Sequence, residues 1–159
     1  ILSTLFSSMS GAAENTPKVG DAAPVISAQN EKSEVVTIEY DSGYTMVYFY
    51  PKADTPGCTA QACSLRDSYE ELVKKGVRVY GVSTDKPEDQ NKFKQKYNLP
   101  FTLLSDTDKK IAAAFGVPVR MGFTSRQAFL IKDGKFVWID RSASTKEQAE
   151  DILAFIKSQ

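Results

Sequence analysis

Apolar residues in this chain occur in two patterns, as short unbroken runs and as longer stretches in which they recur every three or four positions. The short runs predict β-strands, at 25–28, 35–38, 46–50, 77–83, 101–104, 128–131 and 136–139. The periodic stretches predict helices, at 56–75, at 85–97, at 109–115 and in a closing helix that Thr145 caps. Strands that alternate with helices, followed by a hairpin and a last helix, indicate an α/β domain with a central mixed sheet flanked by helices.

The junction between the run 46–50 and the next helix carries the strongest local signals. Thr55 is of the type that caps a helix, and Pro56 suits the first helical position because its missing N–H would have no partner there. Gly57 has no side chain, so a small substrate could approach the backbone closely. Cys58 then falls among the free N–H groups at the positive end of the helix dipole, which favours a thiolate. Apolar residues at helical spacing from Cys58 are expected to face the core, namely Ala62, Leu65, Tyr69, Leu72 and Val73.

The chain has one other cysteine, Cys63, on the same predicted helix. Five residues of α-helix separate the Cα atoms of Cys58 and Cys63 by roughly 8.6 Å, whereas a disulfide needs them within about 7 Å. A bond between them therefore requires the first turns to unwind. A small buried hydrophobe is the ordinary role of a free cysteine, but two cysteines behind a core strand favour redox chemistry. The spacing differs from the Cys-x-x-Cys of dithiol carriers and suits a thiol that reacts first and is resolved afterwards.

The segment from Pro51 to Cys63 resembles the active-site signature of peroxiredoxins, in which a proline, a threonine and a cysteine are separated by three and two residues. The longer pattern, Tyr-Phe-Tyr-Pro followed by Thr-Pro-Gly-Cys-Thr-x-Gln-Ala-Cys, resembles the bacterioferritin-comigratory protein or peroxiredoxin Q branch. The resemblance covers residues 18–158 and includes the stretches 81–87, 99–106 and 126–131. It implies a thioredoxin-like fold with an N-terminal peroxiredoxin extension.

The resemblance also implies catalytic roles. Cys58 would be the peroxidatic cysteine and Cys63 the resolving cysteine. Thr55 would hydrogen-bond the peroxide, and Arg126 would hold the thiolate. Arg120 competes with Arg126 for this role, because the stretch 117–125, which contains Arg120 and ends directly before Arg126, is the part least clearly matched to the family.

Three more residues would support the site. Pro51 would shield the pocket, and Gln61 stands where the family has Glu or Gln. Gly57 would leave the backbone open to the substrate.

The function implied is a thiol-dependent peroxidase that reduces hydrogen peroxide or organic hydroperoxides without metal, haem or flavin. Cys63 would convert the Cys58 sulfenic acid into an intramolecular disulfide, which thioredoxin or a similar dithiol would reduce. Two alternatives are a thiol–disulfide oxidoreductase that acts on proteins and a holdase-type interaction protein on the same fold. Because resolution within one chain needs no dimer, a monomer is expected.

Composition narrows the possible partners. The chain has 159 residues with 20 basic and 20 acidic side chains, so its charge implies neither nucleic acid nor a membrane surface as partner. No stretch reaches the roughly 18 apolar residues of a membrane span. Histidine is absent, which argues against the copper and zinc sites that pair cysteine with histidine.

The first residues differ from the rest. Residues 1–17 are expected to be an N-terminal extension and 18–159 the catalytic domain. The apolar and small residues up to Ala13 are similar to the end of a secretory signal peptide, which favours export, whereas a cytoplasmic or organellar location is the alternative.

Overall fold

The computed structural model describes residues 16–40 and 43–159 of the chain. Its strands are β1 (Ile26–Asn30), β2 (Val35–Ile38), β3 (Tyr44–Phe49), β4 (Val77–Ser83), β5 (Thr102–Ser105), β6 (Val119–Arg120), β7 (Phe123–Thr124), β8 (Gln127–Lys132) and β9 (Lys135–Asp140). Its helices are α1 (Pro56–Asp67), α2 (Tyr69–Lys74), α3 (Pro87–Lys96), α4 (Lys110–Ala114) and α5 (Gln148–Lys157). Within this part of the chain, seven strands form one mixed sheet in the order β2-β1-β5-β4-β3-β8-β9, and β6 pairs with β7. The predicted α/β architecture is confirmed.

The centre of the sheet determines where the site can form. Strand β3 lies between β4, to which it is parallel, and β8, to which it is antiparallel. In the β3–β8 pairing Phe49 lies opposite Gln127. The residue that precedes β8 therefore lies beside the carboxyl end of β3, where the chain turns towards α1.

The two faces of the sheet bury separate apolar clusters, because successive side chains of a strand point to opposite faces. Met46 and Tyr48 of β3 belong to the cluster that packs against α1, α2, α3 and α5. Val47 and Phe49 belong to the cluster on the other face, which includes residues of α4. The continuous apolar run of β3 is thus explained by helical cover on both faces.

One predicted helix is two helices. The chain leaves helical geometry at Ser68, with φ −105° and ψ 10°, so α1 ends at Asp67 and α2 begins at Tyr69. Serine is a weak helix former, which favours a break at this position. After the break Leu72 is buried, but Val73 is 51% exposed, so the prediction that Val73 faces the core was wrong.

One further local prediction is wrong, and two short strands were not predicted. The closing helix begins at Gln148 with Glu147 as its N-cap, so Thr145 lies in the preceding turn and does not cap it. The two-residue strands β6 and β7 were not predicted, because a pair this short leaves no detectable pattern. The remaining predicted elements are present, with bounds that differ by at most two residues.

Most of the residues to which the N-terminal predictions apply lie outside the described part of the chain. The signal-like segment up to position 13 lies wholly outside it, so export and the division at residue 17 stay predictions. Among the helices of the described residues, none has the length and apolar character that crossing a membrane requires.

Candidate active site

The loop from β3 to α1 forms one wall of the candidate site. Thr55 has extended backbone geometry, φ −92° and ψ 156°, and Pro56 is the first residue of α1, as predicted. The Thr55 hydroxyl donates to the carbonyl oxygen of Lys52 at 2.7 Å. It does not cap the helix, so no described side chain covers the first N–H groups of α1. Pro51 is half-buried in the same loop.

Cys58 is the third residue of α1, and it is 1% exposed. Its Sγ accepts a hydrogen bond from Nη2 of Arg126 at 3.4 Å. The sulfur therefore faces both a guanidinium and the positive end of a helix dipole, and each attracts negative charge.

Cys63 lies on the same unbroken helix and is half-buried, and both thiols are free. The helical geometry keeps the two Cα atoms roughly 8.6 Å apart, beyond the reach of about 7 Å that a disulfide allows. The structure thus corresponds to a reduced state in which the two cysteines cannot bond.

Arg126 reaches the site from the other side of the chain. It immediately precedes β8, beside the end of β3, and its guanidinium donates through Nη1 to Oε1 of Gln61 at 2.7 Å as well as to Cys58. Arg120, its competitor from the sequence, is exposed on β6 and makes no hydrogen bond to Cys58 within the described residues. Of the two arginines, only Arg126 is brought to the sulfur.

Gly57 makes room for this arginine. A Cβ atom at position 57 would lie 2.9 Å from Nη2 of Arg126 and 3.6 Å from a methyl carbon of Thr145. The sequence predicted close approach of a substrate at Gly57, whereas the group closest to its open side is the guanidinium. A larger residue here would displace the donor that contacts Cys58.

Gln61 is fully buried between two polar partners. Its Oε1 accepts from Arg126, and its Nε2 donates to Oε1 of Gln148 at 2.6 Å. Gln148 is also fully buried, and sequence reasoning missed it. Its signal was weak, because a polar residue at the start of a helix ordinarily faces solvent.

Tyr48 lies in the same apolar cluster as Cys58. Its hydroxyl is buried and has no hydrogen-bond partner among the described residues. Burial raises the pKa of Tyr48 well above its ordinary value, and the neighbouring Tyr50 and Cys58 raise it further. The phenol is therefore neutral at physiological pH and adds no charge near the sulfur.

The arrangement is suited to nucleophilic chemistry at sulfur. The buried sulfur of Cys58 contacts a guanidinium, and the same guanidinium can stabilise negative charge that develops on an atom bound to the sulfur. The uncapped N–H groups of α1 add donors on the same side.

Comparisons with known proteins agree with this chemistry. The model of the AhpC/TSA family matches residues 19–139. Peroxiredoxin Bcp of Escherichia coli (strain K12) is 42% identical over 152 residues, which cover 90% of this chain and 97% of that protein. Peroxiredoxin Bcp of Bacillus subtilis (strain 168) is 37% identical over 151 residues, which cover 89% and 96%.

A solved structure gives the same result for the fold. The crystal structure of peroxidoxin BcpB from Mycobacterium tuberculosis superposes with a TM-score of 0.83 at 29% identity, covering 89% of this chain and 97% of that chain. The predicted thioredoxin-like fold of the peroxiredoxins is confirmed. The chain therefore belongs to the AhpC/TSA family, as a peroxiredoxin of the Bcp and peroxiredoxin Q type and thus a thiol-dependent peroxidase.

Proposed function

We propose that Cys58 is the peroxidatic cysteine of this peroxidase. Its thiolate sulfur attacks the terminal oxygen of hydrogen peroxide or a small organic hydroperoxide, so an S–O bond forms as the O–O bond breaks. The sulfur is oxidised to a sulfenic acid, and the leaving oxygen takes a proton to become water or an alcohol.

The contact between Arg126 and Cys58 is the observation that carries this proposal. An Nη2–Sγ distance of 3.4 Å at the start of α1 favours the reactive thiolate. When a peroxide lies against the sulfur, the same guanidinium is positioned to stabilise charge on its oxygens.

Thr55 and Pro51 complete the peroxide pocket in this proposal. Because the proton of the Thr55 hydroxyl is directed to the carbonyl of Lys52, its oxygen presents lone pairs and can accept a hydrogen bond from the O–H of a hydroperoxide. Pro51 lies half-buried in the same loop and limits access of water to the sulfur.

Cys63 resolves the oxidised enzyme in our proposal. Its thiol attacks the Cys58 sulfenic acid, a disulfide forms and water leaves. An external dithiol, with thioredoxin as the expected donor, then reduces the disulfide by exchange and is itself oxidised. The chain holds both cysteines, so the cycle requires no second subunit, and we expect the protein to act as a monomer.

A peroxide-consumption assay with thioredoxin and its reductase tests these roles. Cys58→Ser is expected to lower turnover to the rate without enzyme, because it removes the nucleophile. Cys63→Ser is the matched control, since it also removes one thiol from α1 but is expected to consume one equivalent of peroxide before stopping. Wild-type turnover in Cys58→Ser would refute the assignment.

The same assay separates the alternatives. A protein thiol–disulfide oxidoreductase would not consume peroxide stoichiometrically with the reductant. A holdase-type function would survive Cys58→Ser.

A further inference from the structure

A pair of buried amides connects the active-site arginine to the helix at the end of the chain. Nη1 of Arg126 donates to Gln61 at 2.7 Å, and Gln61 donates to Gln148 at 2.6 Å. Both glutamines are fully buried. Gln148 is the first residue of α5, so this path joins α1 to α5 through side chains.

Arg126 determines the direction of both amides. A guanidinium has only donors, so Gln61 must present its oxygen to Arg126 and its NH₂ group to the other side. Gln148 then has to present its oxygen to Gln61. Its own Nε2 is left buried without a partner among the described residues. An unpaired buried donor costs stability, so the orientation of Gln148 is not explained by its own hydrogen bonds.

The oxygen of Gln148 is the acceptor that holds Gln61 in this orientation. Without it, Nε2 of Gln61 would be buried with no acceptor, and the side chain would turn to find one. Gln61 would then release Nη1 of Arg126, whose guanidinium is fixed by one contact at Gln61 and another at Cys58. The plane of the guanidinium at the sulfur thus depends on an acceptor two side chains away.

We propose that Gln148 is a positioning residue for the peroxidase reaction, acting through Gln61 to fix Arg126 against Cys58. The proposal rests on the assignment of Cys58 as the peroxidatic cysteine. It accounts for a fully buried glutamine that uses its oxygen and leaves its nitrogen unpaired.

The test is a double-mutant cycle at positions 61 and 148 in a Cys63→Ser background, where Cys58 is the only thiol. The variants are Gln61→Met, Gln148→Met and the double variant, because methionine keeps the length of glutamine and removes its acceptor. Two quantities are measured, the pH of half-maximal alkylation by iodoacetamide and the rate of sulfenic acid formation with hydrogen peroxide.

Gln148→Met is expected to raise the pH of half-maximal alkylation and to slow the peroxide reaction by roughly three- to tenfold. The double variant should match Gln61→Met, because Gln148 has no effect once Gln61 is gone. Gln127→Met is the control: Gln127 is a buried glutamine that accepts from another arginine, Arg141, at 2.7 Å, and its loss should leave both quantities unchanged.

Two results would overturn the proposal. One is a Gln148→Met protein with a normal alkylation profile and peroxide rate, even if its thermal stability is lower, since that is a structural role only. The other is a shift in the double variant equal to the sum of the single shifts. If Gln148→Met does not fold, Gln148→Asn decides in the same way, because its amide is one methylene shorter and cannot reach Gln61.

Failure of this proposal and failure of the proposed function give different results. Alkylation reports on the Cys58 thiol whether or not it reduces peroxide. A shifted alkylation profile in Gln148→Met with no peroxide reaction in any variant would refute the peroxidatic role and leave supported the role of Gln148 in fixing Arg126 against Cys58. An unshifted profile with a normal peroxide reaction would refute the positioning role and leave the peroxidatic role supported.

Discussion

Replacing Arg126 by alanine should turn Cys58 into an ordinary buried thiol. The change removes the donor 3.4 Å from Sγ of Cys58 and the donor 2.7 Å from Oε1 of Gln61. Arg120→Ala is the matched control, because it removes the same charge from an exposed position on β6 and leaves both contacts in place.

The size of the effect follows from the contact. Opposite unit charges about 4 Å apart attract by about 1 kcal/mol in water and by about 4 kcal/mol at an effective dielectric constant of about 20. Cys58 is 1% exposed and Arg126 is half-buried, so the pair lies between these limits. Loss of this attraction should raise the pH of half-maximal alkylation and slow alkylation at neutral pH by roughly fivefold or more. The rate with hydrogen peroxide at neutral pH should fall by at least about 100-fold, because charge stabilisation on the oxygens is lost as well.

Alkylation by iodoacetamide in a Cys63→Ser background, read by mass spectrometry, measures the first quantity on Cys58 alone. Peroxide reduction by the otherwise unmodified enzyme measures the second. Gln61 loses its donor in Arg126→Ala, which is expected to cost about 1–3 kcal/mol of stability, so thermal unfolding is recorded to confirm a folded sample. Equal shifts in Arg126→Ala and Arg120→Ala, or no shift in either, would refute the reasoning.

Three further predictions follow from the structure. Thr55→Val should slow the peroxide reaction by roughly tenfold or more while leaving Cys58 alkylation unchanged, because the hydroxyl is assigned to the peroxide rather than to the thiolate; a parallel loss in both assays would contradict this. Disulfide formation should remove hydrogen-exchange protection from residues 55–66 and keep it in β4 (Val77–Ser83). Two cysteines whose Cα atoms lie roughly 8.6 Å apart on a helix cannot bond unless the helix unwinds. Unchanged protection in a fully oxidised sample would show that no unwinding occurs. Tyr48→Phe should be neutral or stabilise the fold by up to about 1 kcal/mol in urea unfolding, because it removes a buried hydroxyl with no partner among the described residues. Burial raises the pKa of Tyr48, so its neutral form is favoured on folding; wild-type stability should fall as pH rises above about 10, and Tyr48→Phe should reduce that fall.

The sequence by itself determined the features that depend on neighbours along the chain. Thr55 and Pro56 mark a helix start because the extended backbone before a helix and the missing N–H of its first residue are local features, even though the Thr55 side chain does not cap the helix. The position of Cys58 at that start, and its separation from Cys63 on one helix, follow from the same local geometry. Apolar runs likewise located most strands, including β2 (Val35–Ile38) and β4 (Val77–Ser83) with their observed bounds.

Tertiary structure decided which distant side chains reach the sulfur. Arg126 is 68 positions from Cys58 in the chain. Only the antiparallel register of β3 and β8 decided that Arg126, and not Arg120, lies beside the sulfur. Gln148 is 87 positions from Gln61, and its place depends on how α5 packs against α1. Local periodicity records which face of an element is apolar, but it carries no information about which element lies opposite that face. A buried polar residue such as Gln148 is therefore indistinguishable from a surface residue until its partner is in place.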